Sequence, residues 1–249
     1  NTTVNTAAGS DTVNVRTIDA FTTVNTGADA DTVNVGSLAP ATGGNVNGIA
    51  AVLTINGEGD ADSLNVDDTA DTLGNTGNLT ATDITGLGMA GKTGTGKIVY
   101  GTVEALTIGL GSGDDTFTVE STHAGTTELN TNSGNDTVTL ETVSAVTTVN
   151  TAAGSDTVNV RTIDAATTVN TGADADTVNV GSLAPATGGN VNGIAAVLTI
   201  NGEGDADSLN VDDTADTLGN TGNLTATDIT GLGMAGKTGT GKIVYGTVE

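Results

Sequence analysis

One aspartate recurs at a fixed place in a short pattern, and it is the strongest chemical signal in the sequence. TVNTAAGSDTVNV (from Thr3), TVNTGADADTVNV (from Thr23), TINGEGDADSLNV (from Thr54), TIGLGSGDDTFTV (from Thr107) and ELNTNSGNDTVTL (from Glu128) share it. In each, an aliphatic residue is followed seven positions later by Asp, with aliphatics two and four positions beyond that Asp. The aligned acids are Asp11, Asp31, Asp62, Asp115 and Asp136, then Asp156, Asp176 and Asp207 further on. Two residues earlier stands a glycine (Gly9, Gly113, Gly134, Gly154) or a second acid (Asp29, Asp60, Asp174, Asp205), and Asp114 adjoins Asp115. The chain has one histidine and no cysteine. Ligation by oxygen alone is therefore the chemistry this set suits, and calcium, which takes six to eight oxygens, is the expected cofactor; the alternative is that the same aspartates hydrogen-bond turn backbone and face solvent without metal. If the turns stack at strand spacing, the carboxylates come within about 5 Å of one another and repel by roughly 1 kcal/mol per pair even at high dielectric. Arg16, Lys92, Lys97, Arg161, Lys237 and Lys242 are too few to neutralise 30 acids.

The flanking residues say what must position these acids. Thr-Val-Asn and Thr-Val-Asn-Val alternate with period two, which gives one aliphatic face and one Thr/Asn face. β-Branched residues suit a pleated surface. The Gly/Asp/Ala/Ser stretch between the two runs is a tight turn. Each pattern therefore reads strand, turn, strand. The leading aliphatics Val4, Val24, Ile55, Ile108 and Leu129, with a degenerate copy around Leu79, Ile84 and Leu87, give about six coils before the pattern resumes at Val149. Hairpins in an antiparallel sheet would satisfy the local pattern. A parallel β-solenoid is favoured, because only stacked coils set Val on Val and Asp on Asp. The fold class expected is all-β. Ile18, Ile49 to Val52, Ile98 to Tyr100 and Val143 are expected on a third, irregular face. Residues 36–47 and 86–97 are expected in loops.

A longer repeat contains the shorter one. Thr2 to Glu104 recurs 145 residues later as Thr147 to Glu249, and the copies differ only at Phe21, where the second has Ala166. The chain reads as a first unit, 1–145, and a second, truncated unit, 146–249, continuous with it and excerpted from a longer array. Removing a packed Phe costs about 3–5 kcal/mol, so position 21 is expected at a loop or surface.

Composition excludes several classes. A net charge of -24 with 2% aromatics cannot form the basic, stacking surface that nucleic acid needs. No apolar run is long enough to cross a bilayer as a helix. Low aromaticity with high charge is also a mark of disorder, but 36% hydrophobics in strict alternation and only 2 prolines favour a narrow aliphatic core.

The turns resemble a known family. Gly111 to Val119, GSGDDTFTV, and Asn132 to Leu140, NSGNDTVTL, are similar to the G-G-x-G-x-D-x-U-x repeat of the RTX, or haemolysin-type, proteins. The resemblance implies calcium held by the Asp and by turn carbonyls between coils of a parallel β-roll. It carries over best to Asp115 and Asp136, with Gly111, Gly113 and Gly134, and less well to Asp11, Asp31 and Asp62. The family's motif falls twice per coil and here only once, so at most one metal-bearing edge is implied. The whole unit also resembles the tandem repeats of giant secreted bacterial surface proteins.

These readings converge on a structural, non-enzymatic segment of an extracellular or cell-surface stalk, adhesin or filament of bacterial origin. Its expected partners are neighbouring units or copies of itself, and glycans or a surface. Two alternatives use particular residues. An ice- or surface-binding solenoid would use outward Thr/Asn ranks such as Thr12/Asn14 and Thr32/Asn34. A calcium-dependent polysaccharide lyase would use Arg16 or Arg161 as base. Gly86 to Thr93 matches the phosphate-binding G-x-x-x-x-G-K-T pattern, but a glycine run and a strand follow instead of a helix, so no nucleotide site is expected. His123 is expected in an exposed turn. Asn1, Asn78, Asn135 and Asn223 match the N-glycosylation pattern; Asn78 and Asn223 are the favoured sites and Asn135 a poor one.

Overall fold

A computed structural model describes residues 1–89, 95–234 and 239–248. The first strands are β1 (Thr2–Asn5), β2 (Thr12–Val15), β3 (Thr22–Asn25), β4 (Thr32–Val35), β5 (Val52–Asn56) and β6 (Ser63–Asp67). Then come β7 (Thr76–Leu79), β8 (Asp83–Gly86), β9 (Lys97–Gly101), β10 (Ala105–Gly109), β11 (Thr116–Val119), β12 (Thr126–Asn130) and β13 (Thr137–Leu140). The second copy supplies β14 (Thr147–Asn150), β15 (Thr157–Val160), β16 (Thr167–Asn170), β17 (Thr177–Val180) and β18 (Val197–Asn201). It ends with β19 (Ser208–Val211), β20 (Gly222–Leu224), β21 (Asp228–Gly231) and β22 (Lys242–Gly246). Among the described residues there is no helix.

The chain winds between two 11-stranded sheets. One runs β1-β3-β5-β9-β8-β7-β11-β13-β15-β17-β19 and the other β2-β4-β6-β10-β12-β14-β16-β18-β22-β21-β20. Pairing is parallel and in register, for example Val4 on Val24 and Asn14 on Asn34, except around β8 and β21, which are antiparallel to both neighbours. This is a β-solenoid. Each coil contributes one short strand to each sheet, and the inward residues of both sheets fill the space between them.

The interior is built of columns. Val15, Val35, Val66, Ile108, Leu129, Val149, Val169 and Ile200 lie one above another in the second sheet, and all are buried. Outward-facing asparagines form matching columns in both sheets. The Nδ2 of Asn25 donates to Asn5, Asn56 to Asn25, Asn150 to Asn130 and Asn170 to Asn150, at 2.7–2.8 Å. A third edge is stitched by the isolated bridges Ile18–Ile49, Val143–Ile163 and Ile163–Ile194, as expected for Ile18, Ile49 and Val143. Ile98 to Tyr100 lie instead within β9.

The degenerate pattern around Leu79, Ile84 and Leu87 is not a coil. Leu79 is in β7 and Ile84 in β8, and β7, β8 and β9 form an antiparallel meander inside the first sheet. Here Gly77 lies against the Phe117 ring, which a Cβ at position 77 would approach to 2.5 Å. The missing side chain makes room for the largest fully buried one. The meander also changes the stacking expected from the repeat. β10 carries a leading motif, but it pairs with β6, which carries a trailing one, with Leu106 on Leu64 and Ile108 on Val66. Val13, Val33 and Leu64 therefore belong to one sheet, whereas Phe117 and Val138 stack in the other. Equal spacing in sequence conceals this exchange, because both strands of the motif alternate in the same way.

Phe21 is 56% exposed, in agreement with its loss from the second copy. Phe21→Ala is expected to change stability by no more than about 0.5 kcal/mol, measured by denaturant unfolding. A loss above about 2 kcal/mol would show that the ring is packed.

Candidate cation site: the aspartate ladders

The repeated Asp immediately precedes a strand, in a turn that needs left-handed backbone. Ala7, Asp29, Asp60, Asn132, Ala152, Asp174 and Asp205 all have φ between 69° and 80°. That geometry turns the aspartate towards the next coil. The Asp11 amide donates to Asp31 Oδ1 at 2.7 Å, Asp31 to Asp62 at 2.8 Å, and Asp62 to Glu104 Oε2 at 2.7 Å. A second ladder runs from the Asn75 amide to Asp115 (2.7 Å), from Asp115 to Asp136 (2.8 Å), and on through Asp156 and Asp176 to Asp207. Each carboxylate thus caps a backbone N–H of the adjacent coil.

The two ladders lie at different edges. Asp11, Asp31, Asp62 and Glu104 lead into strands of the second sheet, whereas Asp115, Asp136, Asp156, Asp176 and Asp207 lead into strands of the first. The single acidic edge implied by one motif per coil is thereby corrected to two, since the meander moves the motif across the solenoid. Asp29 and Asp60 form an exposed outer rank at the first edge, and Asp114, Asp174 and Asp205 stand exposed at the second. They also accept amides across coils, Gly9 to Asp29 at 3.1 Å, Asp29 to Asp60 at 3.2 Å and Asn135 to Asp114 at 2.8 Å.

The ladder aspartates are buried, except Asp11, which is partly exposed, and Glu104 at the end of the first ladder is exposed. The Oδ2 atoms of Asp11, Asp31, Asp62, Asp115, Asp136, Asp156 and Asp176 are sealed from solvent and have no hydrogen-bond partner. The hydroxyls of Thr131, Thr151 and Thr171 adjoin Asp136, Asp156 and Asp176 and act to lower their pKa, but each has a single proton, and that of Thr151 Oγ1 goes to the Thr171 carbonyl at 2.7 Å. Burial raises the pKa of Asp62, Asp115, Asp136 and Asp176, and pushes Asp156 up to about 7. Neighbouring carboxylates add to this, for example Asp136 and Asp176 on Asp156.

A buried oxygen without a partner is costly unless a proton or a cation meets it. A calcium cage asks for more. Each inner Asp has committed one oxygen to an amide, and among the described residues no three acidic, His or Cys side chains converge on a point. The inner rows therefore fit backbone capping and do not form a preformed calcium cage. The outer acids keep solvent-facing oxygens, and they too form no converging group of three among the described residues.

Several participants carry little sequence signal. Glu104 ends the first ladder and Asn75 begins the second; each immediately precedes a strand, the place that Asp holds elsewhere. A separate acidic group, Asp67, Asp68 and Asp71, clamps residues 44–47. Gly44 N donates to Asp67 (2.7 Å), Val46 N to Asp68 (3.0 Å) and Asn47 Nδ2 to Asp71 (3.1 Å). Burial pushes Asp68 up to about 7. In the second copy Gly189 N donates to Asp212 and Val191 N to Asp213.

His123 corrects its expected exposure. It is 9% exposed, with its ring edge-on to Tyr100 at 5.7 Å, because residues 121–124 fold in beside β9. Burial lowers its pKa. Arg16 and Arg161 are tied to loops: each Nε donates to a carbonyl, of Ala39 and Ala184, at 2.9 Å, and Arg161 also pairs with Glu141 at 2.6 Å. Asn78 is half-buried and donates to Glu120, Asn135 is held within the outer rank, and Asn223 is exposed. Of the phosphate-loop-like segment, Gly91, Lys92 and Thr93 lie outside the described residues, as does Lys237.

No protein-family model, no curated protein and no solved structure matches the chain.

Proposed function

We propose that the chain is a structural segment of a long extracellular or cell-surface rod (a stalk, adhesin or filament) of bacterial origin, whose product is length and stiffness. The observation that carries this is the repetition of one stacking chemistry along both sheets: aliphatic columns inside, Asn ladders outside and Asp ladders at the turns. An enzyme needs one distinctive constellation, and the two arginines that a lyase would use serve as loop ties in both copies. The outer Asn amides are engaged with one another, which leaves them poorly suited to order ice. Partners in this reading are further units of the same kind, with glycans or a surface at the rod's ends.

Calcium belongs to the same reading, in an RTX-like role limited to the exposed acids of the two edges, Asp29 and Asp60 at one and Asp114, Asp174 and Asp205 at the other. Cations there would offset the repulsion among stacked acids, and any ion bound only by the folded state adds to stability. A calorimetric titration with calcium is expected to show uptake, and a chelator is expected to lower the melting temperature. Asp114→Asn should reduce the uptake. No heat of binding together with an unchanged melt would remove calcium and leave the ladders as caps. Electron microscopy of native material tests the rod itself: thin unbranched rods support it, and compact particles would overturn it.

A further inference from the structure

The meander does more than lengthen a sheet. The first copy places β1, β3, β5, β9, β8, β7, β11 and β13 in the first sheet and only β2, β4, β6, β10 and β12 in the second. From β1 to β14, its counterpart in the second copy, the chain makes five and a half turns. That is a closer value for the roughly six coils per unit, and its half-integer has a consequence. β1 lies in the first sheet and β14 in the second; β2 lies in the second and β15 in the first. The second meander, β20–β21–β22, accordingly falls in the opposite sheet from β7–β8–β9. The loop carrying Leu38 leaves the second sheet after β4, and its twin carrying Leu183 leaves the first after β17. Both leucines are 52% exposed.

We propose that the unit is a half-turn device: each copy hands on the solenoid with its two sheets exchanged, so that a rod of such units displays one and the same surface on both sides in alternate copies. The inference rests on the rod reading for its use, but not for its geometry. Its physical advantage is balance. One unit adds eight strands to one sheet and five to the other, a mismatch of about 14 Å at strand spacing. Units in constant orientation would accumulate that mismatch on one side and curl the rod. Alternation cancels it, and here both sheets reach 11 strands. The Leu38-type loop is then displayed on opposite flanks in alternate units, and the period of the rod is two units.

The absence of cysteine makes a clean test in the whole chain. Asn65 stacks on Thr107, and Ser63 on Ala105, only if β10 has crossed to the second sheet. Without the exchange β11, and not β10, would share a sheet with β6, which would bring Asn65 towards Thr118 and away from Thr107. Four double variants would be oxidised or treated with a short thiol-reactive cross-linker: Asn65→Cys/Thr107→Cys, Ser63→Cys/Ala105→Cys, Asn65→Cys/Thr118→Cys, and Asn14→Cys/Asn34→Cys as a folding control. The first two and the control are expected to link at least ten-fold more completely than the third. Linking of Asn65 to Thr118, or failure of both first pairs while the control links, would overturn the half-turn. Microscopy that finds no rods would remove the use proposed for the chain and leave this result standing.

Discussion

Val33→Asp is expected to destabilise the solenoid by roughly 4 kcal/mol or more, a loss reserved for changes that bury an unpaired charge. Val33 is buried in β4 between Val13 and Leu64 of the adjacent coils, with an aliphatic column on either side. Val33 itself is 3% exposed, so an aspartate there would meet almost no water. Val33→Ile, which adds one methylene without charge, serves as the comparison and should cost no more than about 1–3 kcal/mol. The measurement is urea unfolding followed by circular dichroism, with the slope checked for constancy. If Val33→Asp melts like the parent, the residue faces solvent and the inward assignment of β4 is wrong.

The second large effect is on pH. A carboxyl whose folded pKa stands above its unfolded value of about 3.9 favours folding while protonated; that contribution is full below the unfolded pKa and is lost as pH rises through the folded one. Asp156 and Asp68 set the window, between about 4 and about 7, and Asp62, Asp115, Asp136 and Asp176 shift in the same direction. In metal-free buffer the melting temperature should therefore fall as pH is raised from 5 to 8. Below pH 4 the trend should reverse. The Leu73 amide holds the Asp71 pKa down and the Lys97 ammonium does the same for Asp83, so those two lose their contribution on protonation. Asp156→Asn keeps an oxygen for the Asp136 amide but cannot ionise, and should flatten the fall between pH 5 and 8. Asp156→Ala leaves that amide buried without an acceptor and should cost about 1–3 kcal/mol at every pH. A melting temperature that rises from pH 5 to 8 would show that the inner carboxyls are ionised and solvated.

The strands, their facing and the solenoid were legible in the sequence because each rests on a local rule. Val13 and Val15 alternate with Thr12 and Asn14, and the same spacing recurs twenty residues on. The exchange of sheets was not legible. It depends on whether Leu79 to Tyr100 makes one passage or three, and Thr-rich alternation looks the same in parallel and antiparallel strands. The candidate site was legible in its residues but not in its geometry. Asp31 and Asp62 were found by spacing, yet spacing cannot show that one oxygen caps an amide while the other is sealed off. Glu104 and Asn75 were missed because they differ from Asp in type while sharing its position before a strand. His123 was misplaced because its Ser-Thr-His-Ala-Gly surroundings are those of a surface turn, whereas Tyr100, which covers it, is distant in sequence.

The stacked coils also create a difficulty of recognition. TVNT followed by DTVNV occurs from Thr3, Thr23, Thr148 and Thr168, so a coil can settle on the wrong neighbour and satisfy nearly every column. Nothing in Val on Val or Asn on Asn marks which copy is which, and slipped pairings in such sheets are only weakly disfavoured. Exchange of coils between chains would follow the same route. The meander and the Asp-clamped loop are the exceptions. Gly77 accepts only a ring like that of Phe117, and Asp67 and Asp68 grip a segment that no adjacent coil possesses. These irregular parts act as punctuation: they tell a folding chain where it stands along an otherwise monotonous text.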